Sequence, residues 1–404
     1  MEGSPIDRLF YFGMIFLAFI TVAKRRVNWA QLISLNWPIL LFYGYCLVST
    51  LWAESSVVSF KRWFKDFGNI FVALVILTEQ NPQQAIRAVF VRCAFVLLPL
   101  SIIFIRYFPS LGRNYSRGGG LEITGVTTQK NSLGALVLVC GLVLIWDWFE
   151  KSGSDRRKLN RLERFLPFIL FGIGAYLLYL CNSQTSLLCL IIGACVLASI
   201  KLPFLRKRIG ALGLYALGGA IGYLVLDSLI GIKDAILGTM GRDATFTGRT
   251  EVWKELLALH TDPIIGTGFC SFWSNQSYRS QLPNWVAFSA HNGYLEIYID
   301  GGYIELFFLA LMLLVVGWRI NRQLTTSGNY SLVRFATLLV TIVGDFSESH
   351  FTRMSPLWFL FLLTALEFPQ RKRSRQGTPL AAPHPMRRAA SDSSFDPVPV
   401  FGCS

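Results

Sequence analysis

Apolar runs of roughly 15 to 24 residues recur along the chain, separated by shorter polar connections. A run of that length forms a helix matching the hydrocarbon core of a bilayer. That medium supplies no water, so each backbone N–H and C=O has to be satisfied inside the segment itself. Only 15% of the residues are charged, well short of the about 25% usual in a soluble chain. The expected fold is therefore an all-α polytopic membrane protein with about 11 (10–12) transmembrane helices. They fall near 9–23, 31–51, 67–79, 88–106, 131–148, 165–181, 185–200, 209–229, 297–317, 333–346 and 356–367.

Charge orients these spans. With the amino terminus outside, the segments assigned to the cytoplasm carry 23 Lys and Arg against 8 acids, a net of +15. The opposite side carries 14 against 16, a net of −2, and Arg92 inside the fourth span restores the overall +14. Positive residues favour the cytoplasmic face, so most of the basic balance is an orientation signal and does not call for nucleic acid. The first apolar run is followed by Lys24-Arg25-Arg26 instead of being preceded by basic residues, which is a first span and not a cleavable signal. The expected divisions are 1–229, an amino-terminal bundle of about eight spans; 230–296, one large periplasmic loop with amphipathic helices; 297–368, the remaining spans; and 369–404, a basic, Pro- and Ser-rich tail expected to be disordered and cytoplasmic.

Long ordered connections tend to be functional, which directs attention to 230–296 and to a smaller outer loop at 107–130. Within the first, Val252, Leu256 and Leu259 repeat at helical spacing, with Thr247 or Thr250 as cap and Asp262-Pro263 as terminator. Such a helix is expected to lie along the membrane surface, apolar face down. Arg249 at its start suits a phosphate, because free N–H groups, helix dipole and guanidinium all favour an anion. Equally, Arg249 pairs with Glu251 or a neighbouring loop. Arg113, Arg117, Lys130, Arg242 and Arg279 lie on the side where positive charge is disfavoured, so they point to an anionic ligand as a group, while each alone reads as a solvated charge. The aromatics Phe269, Phe272, Trp273, Tyr278 and Trp285 either stack on sugar rings or anchor the loop at the membrane interface. His291 and Asn292 end the loop: the imidazole can take a proton from an attacking hydroxyl with Asn292 holding substrate, or the pair simply caps a helix. The eight cysteines and four histidines are scattered without metal-ligand spacing, so no metal or cofactor is expected.

"GRTEVW" (248–253), "DPIIGTGFCSFW" (262–273) and "AHNGYLEIYIDGG" (290–302) together resemble the O-antigen ligase and polysaccharide polymerase family, the exopolysaccharide polymerase branch above all. "GVTTQKNSLGAL" (125–136) resembles its Lys-Asn-x-x-Gly element and "ESHF" (348–351) its late Glu-Ser element. The resemblance implies a metal-independent glycosyltransferase of the bacterial inner membrane, acting on the periplasmic face. Its donor is an oligosaccharide on undecaprenyl pyrophosphate, and its acceptor a glycan or lipid A-core. It also implies membrane lipid as surroundings, chain-length regulator or export proteins as further partners, and no nucleic acid. Carried across, His291 and Arg249 match the family's essential histidine and loop arginine. Asn292, Arg113, Arg117, Lys130, Arg242 and Trp273 are the substrate-binding candidates beside them. Two positions depart from the pattern: Glu305 replaces a small residue or Tyr, and Gln184 in "NSQTS" (182–186) stands where a cation is usual. Arg113, Arg117 or Lys130 would supply that charge.

A transporter or flippase of the same lipid-linked glycans is the rival class. Transporters usually carry ionisable or broken helices at mid-membrane, whereas here Arg92 is the main charge expected deep in a span and the polar chemistry gathers in one outer loop.

Overall fold

The computed structural model describes residues 5–25, 27–115, 120–151, 161–202, 208–215, 218–219, 248–286, 288–325 and 328–368. Arg117, Arg242, Thr247, most of the eighth expected span and the tail lie outside the described residues.

The helices follow the apolar runs. They are α1 (Pro5–Lys24), α2 (Trp29–Leu35), α3 (Trp37–Ser49), α4 (Ser56–Leu77), α5 (Pro82–Tyr107), a single turn α6 (Pro109–Gly112), α7 (Lys130–Glu150), α8 (Arg161–Cys181) and α9 (Gln184–Ala198). Further on come α10 (Arg249–Ala258), a short α11 (Gln276–Arg279), α12 (Gly293–Gln323), α13 (Gly328–Gly344) and α14 (Pro356–Ala365). Two three-residue strands, β1 (Arg113–Tyr115) and β2 (Leu121–Ile123), pair antiparallel with Asn114 opposite Glu122.

Among the described residues four helices, α1, α5, α7 and α12, are long and apolar enough to cross a bilayer, and α2 with α3 make a fifth candidate bent by 84°. The single span expected over 31–51 is therefore broken. Asn36 leaves helical geometry (φ −108, ψ 20) and Pro38 starts the next helix, where its missing N–H costs no hydrogen bond. Large apolar side chains on α1, Leu9, Phe16 and Leu17 among them, are exposed, the reverse of a soluble surface. The chain is a helical, multi-pass membrane protein. At 17 residues α13 is about 26 Å long and at 10 residues α14 about 15 Å, both less than the roughly 30 Å hydrocarbon core.

Among the described helices α14 is the most enclosed. Leu357, Trp358, Leu360, Leu362 and Leu363 have no exposed surface, and the helix packs against α4, α7 and α13. The Trp358 indole donates to the Tyr43 hydroxyl at 3.0 Å, and that hydroxyl to Asp66 at 2.8 Å. Asn36 exchanges two hydrogen bonds with the Glu367 backbone, each 2.8 Å, tying the α2–α3 bend to the chain just beyond α14. Arg92 lies within α5 with its side chain exposed, and it is joined by further charges inside helices, since Asp66 and Glu305 are buried in α4 and α12.

α12 is two helical halves joined at Gly302 (φ 64, ψ −163), a conformation open to glycine alone. A break of this kind frees backbone groups that cannot be left unpaired. The turn 262–268 satisfies them. Tyr303 N–H donates to the Pro263 carbonyl (2.8 Å) and Ile304 N–H to Ile264 (3.2 Å), while Thr267 and Gly268 N–H groups donate to Ile299 (3.0 Å) and Asp300 (2.7 Å). The Tyr45 hydroxyl donates to the Gly301 carbonyl at 2.8 Å. Asp262 rigidifies this turn by accepting from the N–H groups of Ile264 and Ile265.

Candidate active site

The polar pair that ends the outer loop divides its labour. Asn292 is the N-cap of α12, its side-chain oxygen accepting from Leu295 N–H at 3.0 Å. His291 is no cap. It sits in the left-handed region (φ 49), unusual outside glycine, and this turns its imidazole toward Glu348, with Nδ1 3.6 Å from Oε2. That distance is a few tenths long for a hydrogen bond but close for charge. The adjoining Gly293 N–H donates to the carbonyls of Asp345 and Glu348, both at 2.8 Å, so the start of α12 is pinned to the 345–355 loop.

Glu348 is the centre of the group. Its Oε1 takes the Arg249 guanidinium at 2.8 Å and its Oε2 the Asn131 amide at 2.9 Å. A second Arg249 nitrogen donates to the Ser347 carbonyl. Arg249, Asn131 and Glu348 come from the start of α10, the start of α7 and the 345–355 loop. Burial alone would raise the Glu348 carboxyl, but the neighbouring imidazole and guanidinium outweigh it and hold the group below the usual carboxylate value. The carboxylate is therefore ionised. Beside it, His350 donates its backbone N–H to Asp345 at 2.8 Å, and burial lowers its imidazole below the ordinary histidine value.

Arg249 does not pair with Glu251, whose carboxylate takes the Thr250 hydroxyl instead. Helix α10 forms where the periodicity predicts it, but its N-cap is Gly248 (φ 80), not a threonine. Part of its apolar face is covered by protein. Val252, Leu256 and Leu259 pack against Phe272, Leu282, Val286 and Ile299, a small core shared by the loop and the first turns of α12.

The other candidates are dispersed. Lys130 pairs with Glu122 of β2 at 3.1 Å and keeps a half-exposed head next to Asn131. Arg113 donates to the Ile105 carbonyl at 3.0 Å. Trp273 lies in an adjoining cluster, its indole donating to Glu296 at 2.7 Å. Arg279 reaches the Val286 carbonyl and the face of Phe288. Sequence reasoning matched "ESHF" and "KNSLG" as motifs but did not join Glu348 and Asn131 to His291. Their conversion into one site needs the fold, since Asn131 and Glu348 are 217 positions apart.

A cavity of about 710 Å³ opens between α5, α7, α8 and α9, lined mainly by apolar side chains such as Leu98, Val137, Leu170 and Leu178. Asn182, Ser183 and Gln184 also line it. The next residue, Thr185, shares a 2.8 Å hydrogen bond with the Ser347 hydroxyl, whose backbone holds Arg249.

A carboxylate, an imidazole and a guanidinium brought together from distant segments invite comparison with known proteins. Residues 168–310 match the O-antigen ligase family. The matched stretch includes Arg249, Trp273, His291 and Asn292 and stops short of Glu348. The exopolysaccharide production protein ExoQ of Rhizobium meliloti (strain 1021) is 25% identical over 397 residues, 92% of this chain and 85% of that protein.

Proposed function

We propose that this protein is a glycosyltransferase of polysaccharide biosynthesis. It transfers or polymerises glycan carried on undecaprenyl pyrophosphate, at the periplasmic face of the bacterial inner membrane. The observation that carries the reading is the Arg249–Glu348–His291 group, joined through Ser347 and Thr185 to the edge of a mainly apolar cavity. The name of the relative, an exopolysaccharide production protein, supports the same direction.

In this reading the donor's isoprenoid occupies the apolar cavity and its pyrophosphate meets Arg249, with the half-exposed Lys130 head as a second cation in place of the one missing at Gln184. Arg113, Arg117, Arg242 and Trp273 remain candidates for the glycan and phosphate flanks, and Asn292 acts through the cap that fixes His291. Glu348 favours the His291 tautomer with its proton on Nδ1, which leaves Nε2 to accept the proton of an acceptor hydroxyl. The hydroxyl oxygen attacks the anomeric carbon as the bond to undecaprenyl pyrophosphate breaks. The guanidinium stabilises the charge that develops on the departing phosphate, so no metal is needed. The eleven-span topology, with 230–296 outside and the tail inside, belongs to this same proposal.

The test is transfer by purified full-length protein given lipid-linked repeat units, with and without a separate acceptor. His291→Ala should lower transfer by about 10²- to 10⁴-fold, the usual cost of losing a general base, while the donor still binds. Polymer ladders from repeat units alone mark a polymerase, and dependence on added acceptor marks a ligase. Transfer at wild-type rates by folded His291→Ala protein would end the catalytic assignment. A flippase would yield no transfer by any variant.

A further inference from the structure

Next to the His291 turn lies a second polar cluster, centred on a glutamate to which no role attaches so far. Glu296, one turn into α12, is 3% exposed and has partners on both oxygens. Oε1 accepts the Ala290 backbone N–H at 2.7 Å and the Ser289 hydroxyl at 3.2 Å. Oε2 accepts the Trp273 indole at 2.7 Å and the Arg353 guanidinium at 2.5 Å. Arg353 also reaches Asp300 at 3.4 Å, and Asp300 accepts the Phe272 N–H at 3.3 Å. One buried carboxylate thus joins the 269–274 turn, the 289–291 segment, α12 and the 345–355 loop.

Its effect on His291 is specific. The Ser289 hydroxyl donates to Glu296 and itself accepts the His291 backbone N–H at 3.1 Å. The preceding peptide is clamped from both sides, since the Ala290 carbonyl accepts the Trp253 indole at 2.8 Å from the helix that begins with Arg249. A histidine at φ 49 needs such support, because a left-handed residue relaxes unless its surroundings over-determine it. The hydroxyl relay supplies it on one side and the cap of α12 on the other.

We infer that Ser289 and Glu296 are positioning residues: the relay Glu296–Ser289–His291 N–H sets the backbone angle that directs the imidazole at Glu348 and the reacting hydroxyl. The inference rests on the catalytic reading of His291 above. Neither residue touches substrate. They act by holding the base within the narrow range where proton transfer is efficient, and a displacement of about 1 Å in such a group can cost up to roughly 10²-fold in rate.

Ser289 gives the clean test, since it is only half-buried and carries no charge. In the full-length purified protein, Ser289→Ala should lower kcat about tenfold with KM for the lipid-linked donor unchanged. Its thermal stability should stay at the wild-type level. Ser289→Thr, which restores a hydroxyl, should return kcat to within about twofold. Glu296→Gln turns a donor toward Trp273 and Arg353, so it should fall further, about 10²-fold, again in kcat. If Glu296→Gln does not fold, the two Ser289 variants decide alone. Wild-type kcat in Ser289→Ala, or equal losses in the alanine and threonine variants, overturns the relay. The failure of the underlying reading looks different: His291→Ala itself would then turn over normally, whatever Ser289 does.

Discussion

Replacing Gly302 by alanine puts a methyl group where the 262–268 turn already sits. A Cβ at that position would overlap the Ile264 carbonyl and lie 2.6 Å from the Ile265 nitrogen. These are backbone atoms, which cannot swing aside as a flexible side chain does. The conformation at φ 64, ψ −163 costs about 1–3 kcal/mol for a residue other than glycine. To make room, the segment 263–265 has to withdraw, which stretches the hydrogen bonds from Tyr303 to Pro263 and from Ile304 to Ile264. Each contributes a net of about 0.5–1.5 kcal/mol. Together the loss is about 2–6 kcal/mol, or roughly 30-fold to 10⁴-fold in the unfolding equilibrium. Gly44 of α3 is the control, since a Cβ there meets nothing within 4 Å, and Gly44→Ala should gain up to about 1 kcal/mol. The assay is titration of the detergent-purified protein with sodium dodecyl sulfate, followed by far-ultraviolet circular dichroism and tryptophan fluorescence. Coincident midpoints for Gly302→Ala and wild type would refute the claim that the turn plugs the break in α12.

The Glu348 carboxyl is held below its usual value in the folded protein, so its stabilisation is present above the unfolded carboxylate range and is lost as pH falls through the folded value. Glu348→Gln should be less stable than wild type by about 3 kcal/mol at pH 7, with the gap closing as pH falls below the ordinary glutamate range; a gap independent of pH would point to packing instead of charge. For orientation, single cysteines at Ser277 and Ser154, in a background cleared of native cysteines, should react with an impermeant thiol reagent in intact cells at Ser277 alone. Labelling at Ser154 alone would invert the proposed topology.

Much of the fold was legible because apolar run length and helical periodicity are local signals. The stretch 249–258 formed its helix, and "AHNGYL" delivered both the cap at Asn292 and the imidazole beside it. Non-local features escaped. The pairing of Arg249 with Glu348 spans 99 positions, and nothing in the spacing of either motif announces it. The Gly301-Gly302 pair inside an apolar run does carry a local signal for a helix break, yet the partner that makes the break tolerable lies in the preceding loop. The protein that covers part of the α10 face escaped for a related reason. An apolar stripe reports that something covers it, and whether that is lipid or a local core of Phe272, Leu282 and Val286 depends on tertiary contacts. The same limit applies to α14: its apolar run cannot tell lipid from protein as its surroundings, and the ten-residue helix is enclosed by protein.

That enclosure has a consequence for how the protein is made. The helix at the middle of the bundle is translated after α3, α4, α7 and α13, the neighbours it joins or packs against. Those earlier helices enter the bilayer with their central position still open, the Tyr43 hydroxyl lacking its indole donor and the Asn36 amide lacking its backbone partner. Until Pro356 and the residues after it leave the ribosome, lipid or an insertion factor has to stand where Trp358 will sit. A nascent chain stalled before that point is a loose assembly whose buried polar groups are short of partners, and membrane quality-control proteases are expected to degrade it in preference to the completed chain.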